Sequence, residues 1–251
     1  MTPVKKGSSI SRKKFVKQTL LAGTAFFIVP RHVLGRGYVA PSDKLRIAGI
    51  GAGGKGESDL TSFAKSDRVA ITSLCDVDDR QAVKSRANFP KATYYRDFRE
   101  MLDKEQNYID ACCISTPDHT HAVATLASMQ LGKHVYTQKP LTHNIYEARM
   151  LAEAAKKYKV VTQMGNQGAS GDGVRKAKEM IDAGMIGRVY EAKAWTNRPV
   201  WPQGVPTPTG KHEIPSELSW DLWLGPAKHI EYNPAYHPFN WRGWWAFGKG
   251  A

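Results

Sequence analysis

Two clusters of residues in this 251-residue chain have the types and spacing to do chemistry. The first is Gly51-Ala52-Gly53-Gly54-Lys55-Gly56, which follows the apolar run Leu45–Ile50 and opens a helical stretch over Ser58–Ala64. In such a loop Gly51 permits a tight turn, Gly53 lets the backbone approach a pyrophosphate, and Gly56 permits close packing of helix on strand. The helix N-terminus adds amide donors and the positive end of its dipole for phosphates. Asp76 lies twenty residues past Gly56 at the end of a second apolar run, Val69–Leu74, where a carboxylate can accept from a ribose diol. Strand, loop, helix and acid together predict a dinucleotide site. The same residues satisfy most of a P-loop, Gly49-x-x-x-x-Gly54-Lys55, but Gly56 stands where that loop needs a magnesium-binding hydroxyl. Asp76 favours NAD over NADP because its charge repels a 2′-phosphate, although Arg80 follows about a turn later.

The second cluster is Gln138-Lys139-Pro140, directly after a short strand at His134–Thr137. Ligands of doubly wound sheets lie outside the carboxyl ends of the strands, which brings Lys139 near the reactive end of a bound dinucleotide. A lysine beside a nicotinamide cation can exchange a proton with a substrate hydroxyl. Judged by spacing alone, an ordinary surface lysine is the commoner reading. His119 and His121 sit at a helix start two residues apart, do not share a helical face and have no evident third partner, which argues against a metal site. Asn166 and Gln167, after a strand at Val160–Met164, either contact cofactor or substrate or cap a turn. Cys75, Cys112 and Cys113 show no disulfide or metal spacing and read as packing residues.

The elements that position these groups alternate strand and helix. Further strands are expected at Thr93–Tyr95 and Ile109–Ile114, the latter apolar on both faces after Asp110. One helix runs through Phe98, Met101 and Leu102, another buries Val123, Leu126 and Met129, and a third carries Ile145, Ala148, Leu151, Ala155 and Tyr158 at helical spacing. This alternation predicts a parallel, doubly wound α/β sheet over residues 45–166. The pattern then changes. A helix is expected over Gly173–Gly184, and Tyr190, Ala192 and Ala194 alternate with Glu191 and Lys193 as a half-exposed strand opening a new sheet. All seven tryptophans and eight of the fourteen prolines follow from Trp195 onward, either as a packed aromatic core or as sugar-stacking walls. Asn197 and Arg198 are the polar candidates there for substrate contact. One strand makes no sheet, so the region 167–251 reads as the start of a second α+β domain, mainly antiparallel and incomplete.

The formal charge of +13 suggests nucleic acid until its distribution is examined. Residues 1–36 hold eight Lys/Arg and no acid, leaving 28 bases against 23 acids in the remainder, a mildly basic globular protein with no nucleic-acid partner expected. In those first 36 residues a basic stretch precedes the apolar run Leu20–Val29, too short for a stable membrane anchor. This reads as an export signal, with residues 37–44 as a linker. Ser11-Arg12-Lys13-Lys14-Phe15-Val16-Lys17 resembles a twin-arginine signal with Lys13 in place of the second arginine, which implies a periplasmic protein; a basic tail on a cytoplasmic protein is the alternative.

The glycine loop, Thr116-Pro117-Asp118-His119-Thr120-His121 and Tyr136-Thr137-Gln138-Lys139-Pro140-Leu141, in this order, resemble the Gfo/Idh/MocA oxidoreductase family over residues 45–251. With Gly165-Asn166-Gln167 and Trp195-Thr196-Asn197-Arg198-Pro199, the chain is similar to exported family members of Bacteroidota-type bacteria. The resemblance implies that Lys139 is catalytic and that Thr116, Pro117 and His121 border the cofactor. Gln138 departs from the family's usual Glu-Lys-Pro. A downstream Asp and His pair usually completes the site, and the chain ends about where that motif is expected. Implied with it are a sugar or polyol substrate, a tightly held NAD, and homo-oligomers formed through the C-terminal sheet. A glycoside hydrolase working through a transient keto sugar, and a non-catalytic sugar or nucleotide sensor, are the alternatives.

Overall fold

The computed structural model describes residues 39–198 and 200–250. The export signal expected at residues 1–36 and the first part of the linker lie outside them, as does Pro199. Pro41–Asp43 forms one 3₁₀ turn.

Six strands form a single parallel sheet: β1 (Leu45–Ile50), β2 (Val69–Cys75), β3 (Thr93–Tyr95), β4 (Ala111–Ile114), β5 (His134–Gln138) and β6 (Thr162–Gly165). Their order is β3-β2-β1-β4-β5-β6, all pairs parallel, so the direction of winding reverses between β1 and β4. Helices α1 (Lys55–Phe63), α2 (Asp79–Asn88), α3 (Phe98–Glu105), α4 (His121–Gln130) and α5 (Ile145–Tyr158) connect the strands. This is the doubly wound arrangement expected from the alternation. Asp78 and Asp97 cap α2 and α3 by accepting from Arg80 and Arg99 amides, and Asn144 with Glu147 forms a capping box on α5.

The two faces of the sheet carry separate cores. Ala48, Ile50, Cys112 and Ile114 pack with Met101, Met129 and Leu151 on one face, and Ile47, Leu74 and Cys113 pack with Leu60 on the other. The adjacent cysteines therefore divide between the faces, buried and free. Burying each large aliphatic side chain contributes roughly 1.5 to 3 kcal/mol.

Three expectations are corrected. Val123 is exposed on α4, whose buried stripe is instead Ala122, Ala124, Thr125, Ser128 and Met129. Ile145 is exposed at the first turn of α5, before the helix reaches the sheet. Residues 189–198 form no strand and are exposed throughout. Their alternating pattern has no neighbouring strand to complete a ladder, so the second sheet is absent among the described residues. The helix over 172–182, α6 (Asp172–Asp182), also buries no residue.

The tryptophan-rich tail packs as an aromatic core against the carboxyl edge of the sheet. Trp220 and Trp223, on the short helix α7 (Trp220–Leu224), stack at 4.7 Å, and Tyr232, Tyr236, Trp241 and Phe247 close around them. Two backbone bonds tie this core to the β2–α2 loop, Ser219 N to Val77 O at 2.8 Å and Asp79 N to Glu217 O at 3.1 Å. Among the described residues no helix is long and apolar enough to cross a membrane.

Candidate functional site

A cavity of about 1010 Å³ opens at the carboxyl ends of the strands, over the point between β1 and β4 where the winding reverses. That position is where doubly wound sheets bind ligands. Gly51, Gly53, Gly54, Lys55, Asp76, Thr116, Pro117, His121, Gln138, Lys139 and Arg198 all line it. Ala52, Gly56, Asn166 and Asn197 do not. Ala52 is fully buried, with its carbonyl accepting from Ser85, and Asn166 is exposed. Gln167 reaches the site in place of Asn166.

The glycine loop turns at Gly51, whose φ of 77° is in the left-handed region, while its missing side chain leaves room for the Ser115–Thr116 backbone. Gly56 serves close packing: a Cβ there would stand 1.8 Å from the Gly51 carbonyl oxygen. At Gly53 the vacant space is taken by Gln81 of α2. Helix α1 begins at Lys55 with no side-chain cap on Gly54, leaving an uncapped N-terminus at the cavity.

Asp76 accepts from the Gly53 amide at 2.8 Å and the Asp78 amide at 3.0 Å. Burial pushes its carboxyl pKa up to about 6, against the pull of those two amides. A carboxylate has about four acceptor positions, so two remain for a ligand. Arg80 is committed elsewhere, donating to Asp78 from Nε at 2.8 Å and Nη2 at 2.7 Å. His237 Nε2 meets Asp78 Oδ2, the oxygen that Arg80 Nη2 also reaches, at 2.7 Å. Burial alone would raise the Asp78 carboxyl, but Arg80 and His237 outweigh it and hold the pKa well below the usual range.

Lys139 is exposed at the end of β5, its backbone fixed on both sides. Its amide donates to Gln138 Oε1 at 3.2 Å, and the following carbonyl, of Pro140, lies 2.6 Å from His121 Nδ1. His121 Nε2 lies 2.8 Å from the Thr116 carbonyl oxygen, so this buried ring bridges the loops after β4 and β5. Burial lowers its pKa, opposed by the nearby Asp118. His119 points away from any ligand role: it packs between Trp223 and Phe247, with Nε2 2.9 Å from the Trp223 carbonyl oxygen and its backbone amide donating to the Phe247 carbonyl at 3.2 Å. Burial pushes its pKa down to about 4.

Two acids escape sequence reasoning. Asp118, buried at the cavity wall, accepts from the Lys249 amide at 3.1 Å, and burial raises its carboxyl pKa. Asp59 is a buried hub. It accepts from Lys55 Nζ at 2.6 Å, Gln138 Nε2 at 2.7 Å, Ser115 Oγ at 2.9 Å and Gln167 Nε2 at 3.3 Å. Helix α1 and the ends of β4, β5 and β6 thus meet on one carboxylate. The only advance signal was its position four residues after Lys55, which also describes any surface helix pair.

Asp59 explains Gln138. A glutamate there would set two carboxylates at hydrogen-bond distance with no donor between them. Gln138→Glu is expected to destabilise the protein by about 2 to 3 kcal/mol at neutral pH through lost bonding and like-charge repulsion. The loss should shrink below about pH 5, where one carboxyl takes a proton and donates. Urea unfolding at both pH values measures this; an equal loss at both contradicts the charge argument.

Residues 45–166 match a family model described as oxidoreductase family, NAD-binding Rossmann fold. The chain is 28% identical over 189 residues to "Glycosyl hydrolase family 109 protein 1" of Shewanella sp. (strain ANA-3), covering 69% of this chain and 40% of that protein. It is 30% identical over 148 residues to a 1-carboxy-3-chloro-3,4-dihydroxycyclohexa-1,5-diene dehydrogenase of Comamonas testosteroni, covering 58% and 36%. Myo-inositol 2-dehydrogenase from Lactobacillus plantarum superposes with a TM-score of 0.53 at 30% identity, covering 58% of this chain and 43% of that one. The chain spans less than half the length of each.

Proposed function

We propose, from the premise that this chain belongs through residues 45–166 to the Gfo/Idh/MocA oxidoreductases, that it oxidises or reduces a hydroxyl-bearing carbon of a sugar or polyol, using NAD. The observation that carries this reading is a single cavity lined by an uncapped helix N-terminus, the Asp76 carboxylate and Lys139. These residues fit NAD. The amides at the start of α1 suit its pyrophosphate, and the two open acceptor positions on Asp76 suit a ribose diol. The charge of Asp76 and the commitment of Arg80 to Asp78 disfavour a 2′-phosphate, which supports NAD over NADP. When bound, NAD supplies the hydride acceptor or donor. Lys139 holds or takes the proton of the substrate hydroxyl. Thr116 and Pro117 border the cofactor, and His121 orients their loop against that of Lys139.

The test is oxidation of a panel of sugars and polyols by the full chain with NAD, followed by NADH absorbance, alongside titrations of NAD and NADP against pH. NADH formation is expected, with NAD bound at least about tenfold more tightly than NADP. NAD affinity is expected to fall as the pH drops through about 6, where Asp76 is protonated and loses acceptor capacity. Equal affinity for both dinucleotides at every pH would overturn the role given to Asp76. The name of the Shewanella relatives supports a second reading, glycoside cleavage. Release of a chromogenic aglycone without net NADH would favour it.

A further inference from the structure

Two arginines and three aromatic rings of the cavity have no part in the reading above. Arg198, Trp201, Phe239, Trp241 and Arg242 line the same space as Lys139. The Arg242 guanidinium carbon lies 4.2 Å from the Trp241 ring centre and 4.3 Å from that of Phe239. Arg198 and Arg242 both approach the Trp201 ring, at 5.3 Å and 5.9 Å. Of the Arg242 donors, Nη1 is engaged by the Phe239 carbonyl at 3.1 Å.

The contrast with the remaining arginines of the cavity region is one of pairing. Arg96 and Arg99, the other arginines that line it, each grip an aspartate. Among the described residues, neither Arg198 nor Arg242 has a carboxylate within ion-pair distance. Two like charges against one indole repel each other, and burial opposes the charge on Arg242 further, with Asp118 the acid that offsets it. Aromatic faces hold a guanidinium in place without using its in-plane donors. Those donors suit an oxyanion in a bidentate geometry.

We propose that the substrate is an acidic sugar, whose carboxylate or sulfate ester is received by Arg198 and Arg242 beside Trp201. This rests on the sugar oxidoreductase reading and deepens it by naming the substrate class. The anionic substituent is a handle; no bond to it forms or breaks, and Lys139 acts on a separate hydroxyl. An anion placed there relieves the repulsion between the guanidiniums, which a neutral sugar does not.

The test follows tryptophan fluorescence of the NADH-loaded full chain during titration with a panel of hexuronates, hexose sulfates and the parent neutral hexoses. At least one acidic sugar is expected to bind about 10- to 100-fold more tightly than its neutral parent, the worth of a charged hydrogen bond. Added salt should reduce the advantage. Arg242→Met should abolish it, and Arg198→Gln, in exposed coil, should reduce it even if the first variant folds poorly. NADH affinity should be unchanged in both. The anion preferred separates carboxylate from sulfate. Neutral sugars binding as well as every acidic one, or variants that weaken NADH instead of the anion, overturn the proposal while leaving the oxidoreductase reading intact. Failure to bind NADH at all removes that reading and the proposal with it.

Discussion

Gly56→Ala is expected to destabilise the protein by at least about 3 kcal/mol and to abolish measurable NADH binding. The added Cβ would stand 1.8 Å from the Gly51 carbonyl oxygen and 2.9 Å from its carbonyl carbon, both backbone atoms held by the loop. That loop has little slack: the Gly51 and Ala52 amides both donate to the Cys75 carbonyl, at 2.9 and 3.0 Å, and the Gly56 amide donates to Gly53 at 2.9 Å. The clash must be relieved by moving the start of α1. Asp59 rides on that helix, so the displacement also pulls on Ser115 and Gln138. Thermal unfolding should show a midpoint lower by about 6 to 12 °C. Gly173→Ala is the control, since nothing lies within 4 Å of its added Cβ and the residue sits in an exposed helix. A Gly56→Ala protein that melts with the wild type and binds NADH normally would show that the loop is not the packed unit described.

The apolar central strands and the alternation around them made most of the fold legible. Apolar runs such as Leu45–Ile50 and Ile109–Ile114 are what strands covered on both faces require, and helical periods between them leave few topologies. Helical spacing identified the helices but not which stripe is covered. Val123 and Ile145 fit their periods and are exposed, because the neighbouring sheet decides what is buried. Tyr190, Ala192 and Ala194 show the limit of periodicity from the other side: alternation describes what a strand would present, and a ladder needs a partner. Long-range polar contacts were the least legible. Lys55 belongs to the expected dinucleotide loop and is bonded to Asp59, while Gln138 departs from the family's glutamate and is a donor to the same residue. The Lys55 pair has only the i, i+4 spacing of any surface helix pair, and the Gln138 pair has no sequence period, since α1 and the end of β5 are joined only by folding. The tryptophans were readable as aromatic packing, but their attachment through His119 to the carbonyls of Trp223 and Phe247 was not.

Lys139→Ala is expected to lower kcat by about 10²- to 10⁴-fold while leaving NADH affinity within about threefold of wild type. The size of the effect follows from its placement. Gln138 and His121 fix the backbone on either side of it, yet the side chain is exposed at the cavity. Its loss therefore leaves the Asp59 hub and the glycine loop intact, and the melting temperature should barely change. Lys139→Arg separates charge from proton transfer. The guanidinium keeps the positive charge and its hydrogen bonds but does not release a proton in the working pH range. If Lys139 moves the hydroxyl proton, arginine should fail nearly as badly as alanine in kcat; if it only attracts substrate, arginine should restore most of kcat/KM. The acidic-sugar handle sharpens the comparison, because a lysine that merely bound the anion would raise KM when removed and leave kcat alone. A loss confined to KM in both variants would move Lys139 from the reaction to substrate capture, beside Arg198 and Arg242.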